Sequence, residues 1–317
     1  MNYDTPIVYA VKHKDETVRA ASRSGGVFTA LSDQILSEGG VIYGCILDEE
    51  FNVRHIRAVT EADRDRMRGS KYVQSDLRGV FVQIKKDLLD GRKVLFSGTS
   101  CQVAGLKGFL GKDYNKLICV DIVCHGVPSP LVFHDYLEWQ KQRENSDVIA
   151  FDFRNKRDFG WAGQRETLFF SNGQRVDSEV FKYLFASTLI ERPSCYRCPY
   201  KSIKRVGNIT IADYWGIDQA APGFNDNKGV SLVLVNNDKG SELFEQVKDT
   251  LELRETRLED SMQPALQAPF PSPENRDQFW TDFQSGDFSY IAKKYGTISF
   301  MVKLKKKIRL LMRVIIK

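Results

Sequence analysis

The chain has 317 residues, of which 42% are hydrophobic, 11% aromatic and 27% charged, a composition that excludes a disordered chain and a disulfide-rich scaffold. This length is sufficient for one large domain or two modest ones. The formal net charge of +5 arises at the C-terminal end, where from Lys293 onward nine residues are Lys or Arg and none is acidic, so the body is slightly acidic and a nucleic-acid partner is excluded.

The N-terminal third alternates predicted strands and helices. A strand at residues 8–11 is followed by the turn Ser22-Arg23-Ser24-Gly25-Gly26 and then by a helix at residues 27–36. Such a turn presents free backbone N–H groups and the positive end of the helix dipole, which favour a phosphate, although an ordinary helix cap has the same sequence. The next predicted elements are a β-hairpin at residues 41–47 and 53–59, a surface loop at 67–77 and a helix at 79–89.

A strand, helix and strand come next, at residues 94–96, 102–110 and 117–123. A crossover of this kind leaves its two strands parallel. Cys101 lies where the first strand gives way to the helix, and Cys124 directly follows the second strand. We therefore expect both thiols at the carboxyl edge of a sheet, which is where open α/β sheets bind ligands.

The same periodicities predict the remaining elements. They are a helix at residues 131–143, a strand at 148–154, a hairpin at 167–171 and 174–177 with a type I′ turn at Asn172-Gly173, a helix at 179–189, a strand at 208–213, a strand at 229–235, a helix at 241–251, a strand at 252–257, a proline-interrupted arm at 262–276 and one helix at 277–295.

Together these elements predict a mixed α/β (α+β) fold, with a partly parallel central sheet flanked by helices and a C-terminal amphipathic helix. That last helix falls in residues 299–317, where apolar side chains occupy one helical face and Lys or Arg the rest. The pattern is typical of a helix that lies on an anionic membrane surface. An acidic protein partner and a disordered terminus are the alternatives.

The cysteines indicate metal or catalytic chemistry. No apolar run approaches the ~18 residues that span a bilayer, and the N-terminus lacks the order of a signal peptide. We expect a cytoplasmic protein, peripheral to the inner face of the membrane through its tail, in which cysteines are reduced. Cys45 and Cys119 lie inside predicted strands and are expected to be inert core residues.

Four other thiols remain, namely Cys101, Cys124, Cys195 and Cys198. One Cys-x-x-Cys pair with two single thiols upstream matches a structural zinc site poorly, because zinc ribbons use two such pairs. A thiol nucleophile at Cys101 with His125 as its base leaves the later pair unexplained. Four thiolates at one crevice suit a 4Fe-4S cluster.

A cationic segment beside an aromatic side chain is a candidate substrate site. Arg154 and Lys156 precede Gly160-Trp161, and this combination could hold an anionic substrate. A solvated strand edge is the alternative explanation.

Several of these motifs together resemble one known family. They are SRSGGVFTAL at residues 22–31, GSKYVQSDL at 69–77, GTSCQ at 98–102, VDIVCHGVPSP at 120–130, the segment at 153–161, and the segment at 195–216 that begins CYRCP and ends NITIADYWG. In this order they resemble the beta-subunit family of coenzyme F420 hydrogenases and dehydrogenases.

The resemblance implies a flavin-dependent iron-sulfur oxidoreductase with FAD and one 4Fe-4S cluster. It implies that Ser24, Gly25 and Gly26 form part of the flavin phosphate turn, that the flavin pocket contains Lys71, Tyr72, Gln74 and Ser75, and that the cluster ligands are Cys101, Cys124, Cys195 and Cys198. The substrate pocket is then expected to contain Arg154, Lys156, Trp161 and His125.

The resemblance also implies a division of the chain. We expect an oxidoreductase body at residues 1–295, with a flavin-binding part at 1–91, a cluster-binding part at 92–260 and a proline-rich arm and helix at 261–295, followed by a basic tail at 296–317. Many relatives carry an N-terminal ferredoxin-like module that this sequence lacks, so a separate ferredoxin-like protein is the expected redox partner.

The acceptor is expected to be a small molecule or a deazaflavin, and bacterial relatives occur in surface-glycan gene clusters. A function of a different class is a cofactor-free or zinc-binding scaffold in a membrane-associated assembly.

Overall fold

A computed structural model describes residues 2–297. The predicted amphipathic tail at 299–317 lies outside the described residues. Among the residues that are described, no helix has both the length and the hydropathy that a membrane crossing needs.

Eight strands form the main sheet and three form a smaller one. In chain order the strands are β1 (Asn2–His13), β2 (Val41–Leu47), β3 (Val53–Ala58), β4 (Val94–Thr99), β5 (Leu117–Ile122), β6 (Val148–Asp152), β7 (Glu166–Phe170), β8 (Arg175–Ser178), β9 (Ile209–Asp213), β10 (Ser231–Asn237) and β11 (Leu251–Thr256). The main sheet has the order β11-β1-β10-β9-β5-β4-β2-β3, and the smaller sheet the order β6-β7-β8.

The α-helices surround these sheets. They are α1 (Glu16–Ala21), α2 (Val27–Ser37), α3 (Glu61–Asp65), α4 (Val80–Leu89), α5 (Ser100–Leu110), α6 (Pro130–Glu144), α7 (Lys156–Phe159), α8 (Val180–Ala186), α9 (Ile217–Ala220), α10 (Asp238–Val247), α11 (Pro264–Gln267), α12 (Arg276–Gln284) and α13 (Phe288–Tyr295). Short 3₁₀ helices cover Pro193–Arg197, Lys248–Thr250 and Glu259–Ser261.

The middle of the main sheet is parallel, as the crossover pattern predicts. Strand β4 pairs in parallel with both β2 and β5, and β5 pairs in parallel with β9, whereas the outer pairs are antiparallel. The predicted fold class, a mixed fold with a partly parallel central sheet flanked by helices, is confirmed. The predicted boundary at residue 91 falls between strands of this one sheet.

Both faces of the parallel strands are buried, which explains their nearly continuous apolar sequences. Side chains alternate between the faces along each strand. In β4, Leu95 packs in the cluster that α2 and α10 cover, whereas Val94 and Phe96 pack against α4 and α5. Cys119 of β5 is fully buried in this second cluster, as expected.

A separate aromatic core joins the smaller sheet to α6, α12 and α13. The ring centroid of Phe133 in α6 lies 5.2 Å from that of Phe151, 5.1 Å from that of Phe153 and 5.2 Å from that of Phe181. Tyr72 packs against the same core. The smaller sheet therefore covers the carboxyl-edge side of the main sheet instead of standing apart from it.

Three local predictions are wrong. The single helix predicted at 277–295 is two helices, since Gly286 has a φ of +88° between α12 and α13. The hairpin turn is not type I′, because only Gly173 and not Asn172 has a positive φ. Cys45 is half-buried and not a core residue.

One buried ion pair joins the segments that carry the four candidate thiols. The side chains of Arg205 and Asp121 are 1% and 0% exposed, and their charged atoms lie 2.9 Å apart. Arg205 also donates to Ser100 Oγ at 2.6 Å and to the Ile122 carbonyl at 3.1 Å. Its other terminal nitrogen donates to the carbonyls of Tyr200 and Ser202.

We expect Arg205→Leu to lower the free energy of unfolding by about 3–5 kcal/mol, because it leaves the Asp121 carboxylate buried without its partner charge. The double variant Arg205→Leu/Asp121→Asn should recover part of this loss. Urea denaturation of the purified proteins measures both values.

The matched control is Arg257→Leu, which removes an exposed ion pair with Asp260 and should cost less than about 1 kcal/mol. A cost for Arg205→Leu no larger than that of the control would contradict the structural role of the buried pair.

Candidate functional site

A cavity of about 580 Å³ lies at the carboxyl edge of the parallel strands. Its wall comes from segments that are distant in sequence: the turn before α2, the loop between α3 and α4, the turn between β4 and α5, and the loop after β5. This is the position where α/β sheets bind ligands, and the volume is typical of a small-molecule or cofactor site.

The turn before α2 brings the backbone close to the sheet. A Cβ atom at Gly25 would lie 2.0 Å from the Val11 carbonyl oxygen, so only glycine fits there. Gly26 precedes α2 with a φ of +93°, and no side chain of the described residues caps this helix end. Ser24 and Gly26 line the cavity, and Gly25 lies behind them. The uncapped end leaves backbone N–H groups available for an anionic group.

The loop between α3 and α4 forms a wall of the cavity, so the prediction of a simple surface loop is wrong. Lys71, Tyr72 and Ser75 line the cavity, whereas Gln74 does not and instead lines a second, outer groove. Lys71 Nζ donates to the carbonyls of Arg66 and Arg68, and burial lowers the pKa of this amine to about 8.

His55 of β3 is a cavity residue that the sequence reasoning missed. Its Nε2 lies 3.0 Å from the Ser97 carbonyl oxygen, so that nitrogen carries the proton. Burial lowers the pKa of the ring to about 4, and Nδ1 is buried without a hydrogen-bond partner among residues 2–297. A neutral ring with a spare acceptor is suited to a ligand that donates a hydrogen bond. In sequence, nothing distinguishes it from Arg54 and Arg57, the other polar residues of β3.

The thiols divide between two surfaces. Cys124 lines the inner cavity, whereas Cys101 is exposed in the outer groove. Burial raises the pKa of Cys124 to about 12, and the neighbouring Cys101 and Cys195 contribute to this increase. These three thiols therefore lie within electrostatic range of one another. Cys198 follows Cys195 by one 3₁₀ turn.

The thiols are not preassembled around an ion. Within residues 2–297, no three His, Cys, Asp or Glu side chains are placed to hold a metal ion together. The donor chemistry is nevertheless that of an iron-sulfur site, and Lys201 and Arg205 are cationic groups close by in the same segment.

Glu191 is a second residue that sequence reasoning missed. Its side chain is fully buried, and Oε1 lies 3.4 Å from His125 Nε2. Neither carboxylate oxygen accepts a hydrogen bond from the part of the chain that the structure describes. Burial raises the pKa of Glu191 to about 7 and lowers that of His125 to about 4. The His125 ring lies in the cavity wall between Phe185 and Phe270. No sequence motif marks Glu191.

The predicted substrate residues are only partly in the cavity. Arg154 and His125 line it, but Lys156 and Trp161 do not. Lys156 is buried and donates to three backbone carbonyls, and Trp161 is buried with its Nε1 donating to Asp213 at 2.6 Å. The alternative of a solvated strand edge is therefore wrong for this segment. Trp215, which stacks on Trp161 at 4.9 Å, lines the cavity in its place.

Comparison with known proteins identifies the family. The family that matches is described as the C-terminal part of the beta subunit of coenzyme F420 hydrogenase/dehydrogenase, and it covers residues 91–261, which is more than half of the chain. The chain belongs to this beta-subunit family. The resemblance that the motifs indicate is thus confirmed, and membership identifies an oxidoreductase of the F420 hydrogenase beta-subunit type.

A solved structure shares the fold of this chain. One chain of the xenon-derivatised F420-reducing NiFe hydrogenase complex from Methanosarcina barkeri aligns with a TM-score of 0.54 and 18% sequence identity, covering 79% of this chain and 82% of that chain. A comparison with curated proteins gave no match. At this identity the likeness establishes the fold alone.

The buried His55 predicts a pH dependence of stability. Its pKa is about 4 in the folded protein and 6.5 in the unfolded chain, so the unfolded state binds the proton more readily between these values. Stability must therefore fall as the pH falls from 6.5 to 4. Relative to His55→Gln, whose amide can still donate to Ser97, the wild-type protein should lose about 2–3 kcal/mol of unfolding free energy between pH 7 and pH 4.

Chemical denaturation at a series of pH values measures this difference. The interval from pH 7 to pH 8 is the internal control, because His55 is mostly neutral in both states there and its contribution changes little. A difference between the two proteins that stays constant from pH 8 to pH 4 would contradict a buried neutral ring.

Proposed function

We propose that this beta-subunit relative is an iron-sulfur flavoprotein oxidoreductase, which moves electrons between a 4Fe-4S cluster and FAD and on to a small-molecule or deazaflavin-type acceptor. The observation that carries the proposal is the cavity at the carboxyl edge, with an uncapped helix end in its wall and thiols beside it. When bound, the two cofactors supply the exchange between one-electron and two-electron chemistry.

The residues proposed to hold FAD come from two segments, the turn before α2 and the loop between α3 and α4. Ser24, Gly25 and Gly26 offer the helix end to a phosphate, with Gly25 required for the close packing of the turn. Lys71, Tyr72 and Ser75 form another part of the cavity wall. Gln74 lines the outer groove, so we do not propose that its side chain contacts the flavin. Its backbone N–H donates to the Pro128 carbonyl and so anchors the loop.

The residues proposed to hold the cluster are Cys101, Cys124, Cys195 and Cys198. Burial raises the pKa of Cys124 and Cys195, so binding of a cluster requires these thiols to lose their protons. The Arg205 network supports this proposal because it already holds the three thiol-bearing segments in contact.

The division of the thiols between the inner cavity and the outer groove supports the proposal of a separate redox partner. Thr99 and Gln102 line both the inner cavity and the outer groove, and Gln102 Nε2 donates to Ser75 Oγ at 2.8 Å within this wall. A ferredoxin-like donor or acceptor that docks over the outer groove would meet Cys101 without entering the substrate cavity. The structurally similar chain comes from a hydrogenase complex, which is consistent with such a partner.

Residues 299–317 are proposed to contact an anionic membrane surface, which would place the protein at the inner face of the membrane. This setting also suits a role in surface-glycan biosynthesis. The charge of the tail in the sequence is the observation behind both proposals.

An anaerobic visible spectrum, with iron, sulfide and flavin quantified for each chain, tests the proposed function. We expect about four irons and one flavin per chain. Cys195→Ser/Cys198→Ser should lose the iron and retain the flavin, because the pair lies outside the cavity wall. Cys119→Ala, which removes a thiol from the sheet core, is the matched control and should retain both.

A protein that stays colourless after cluster reconstitution and addition of FAD would refute the proposal. Zinc bound by the four cysteines, or no metal at all, would then favour a scaffold function.

A further inference from the structure

Arg23 is a cation in the cavity wall that no carboxylate of residues 2–297 pairs with. It lies in the turn before α2, lines the cavity and is half-buried. Its Nε is buried and finds no hydrogen-bond partner in the described chain, and burial lowers the pKa of the guanidinium. Because a buried polar nitrogen without a hydrogen-bond partner is costly, Nε of Arg23 is a position where a ligand would supply the missing partner.

Arg154 is a second, only partly satisfied guanidinium in the same wall. It is 5% exposed. One terminal nitrogen donates to Asp213 Oδ2 at 2.6 Å, and the other donates to the Trp161 carbonyl at 2.7 Å. Its Nε is buried and has no partner within the described residues. The charge of Asp213 is in addition shared with the indole N–H of Trp161, so it does not neutralise both arginines.

Charged side chains of both signs surround Arg23, with Asp152 and Asp213 as the nearby carboxylates and Arg154 as a nearby cation. The pKa of Lys156, which lies behind the wall, falls to about 7; after burial, the charges of Arg23, Arg19 and Arg154 lower it and that of Asp213 raises it. Arg19 itself is paired with Asp226. Of the three arginines in this corner, Arg23 is therefore the one that forms no ion pair with a carboxylate of residues 2–297.

Trp215 adds a flat apolar surface at the same place. The residue is 38% exposed. Its ring stacks on Trp161 with an interplanar angle of 9°, and the Arg154 guanidinium carbon lies 5.0 Å from the ring centroid. A planar conjugated ring can stack on such a surface.

We propose that Arg23 and Arg154 form an anion-binding subsite, which holds a carboxylate or phosphate group of an organic ligand whose ring lies on Trp215. Guanidinium groups bind both anions through charge-assisted hydrogen bonds. The subsite itself does not depend on the proposed redox function. Its assignment to a redox substrate, and not to the diphosphate of the flavin, rests on that function.

Inorganic phosphate is the probe, and isothermal titration calorimetry at constant ionic strength is the measurement. The protein without flavin should bind phosphate, and Arg23→Gln should weaken binding about tenfold or more, because a charge-assisted hydrogen bond is lost. Arg23→Lys should restore part of the affinity. Arg257→Gln, which removes an exposed arginine outside the cavity, is the control and should bind as the wild type does.

Phosphate titrations in the presence of FAD or riboflavin identify the ligand to which the anionic group belongs. Phosphate binding that persists in FAD-loaded protein assigns the subsite to the second substrate. Phosphate binding that FAD abolishes and riboflavin does not abolish assigns it to the flavin diphosphate. Equal affinity of the wild type and Arg23→Gln, or no binding in either, overturns the subsite, and neither result bears on iron and flavin content.

Discussion

The placement of the candidate site depends on the buried ion pair between Arg205 and Asp121. A buried pair is useful only when its remaining donors are satisfied, and the remaining donors of Arg205 bond Ser100, Ile122, Tyr200 and Ser202. Ser100 precedes Cys101, Ile122 precedes Cys124 by two residues, and Tyr200 follows Cys198 by two. The hydrogen bonds of one buried guanidinium thus hold three chain segments, from distant parts of the sequence, at one edge of the sheet.

Buried polar groups are hydrogen-bonded more completely around Arg205 in the core than in the cavity wall. Around Arg205 a buried cation is fully bonded, whereas in the cavity wall Arg23, His55 and Arg154 each keep one buried nitrogen without a partner among residues 2–297. Buried polar atoms are normally paired in native proteins. Such exceptions are expected at functional sites, where a ligand supplies the missing partners. These three residues line the same cavity, as does His125, whose Nε2 is also buried without a hydrogen-bond partner among residues 2–297. We therefore expect a ligand with both anionic and hydrogen-bond donor groups.

The sequence predicts the sheet better than the site. The crossover from β4 to β5 can be predicted because two apolar runs flank a segment that is compatible with a helix. The positions of Cys101 and Cys124 at the sheet edge can then be predicted, because each follows the end of one of these strands. Gly286 divides the last helix because it adopts a left-handed conformation that no periodicity reveals. His55, Glu191 and Arg23 could not be found, since each is ordinary in its own segment. Their significance comes from burial beside residues that are far away in sequence, and that is a tertiary property.

The unequal exposure of the thiols has a consequence for how the molecule could use a bound centre. Cys101 is exposed in the outer groove, and Cys124 faces the inner cavity behind the wall that contains Gln102 and Ser75. A centre held by both would be reachable by a protein partner on one side and by a small ligand on the other. A partner in the outer groove and a ligand in the inner cavity would then approach such a centre from different sides, so neither would have to leave before the other binds.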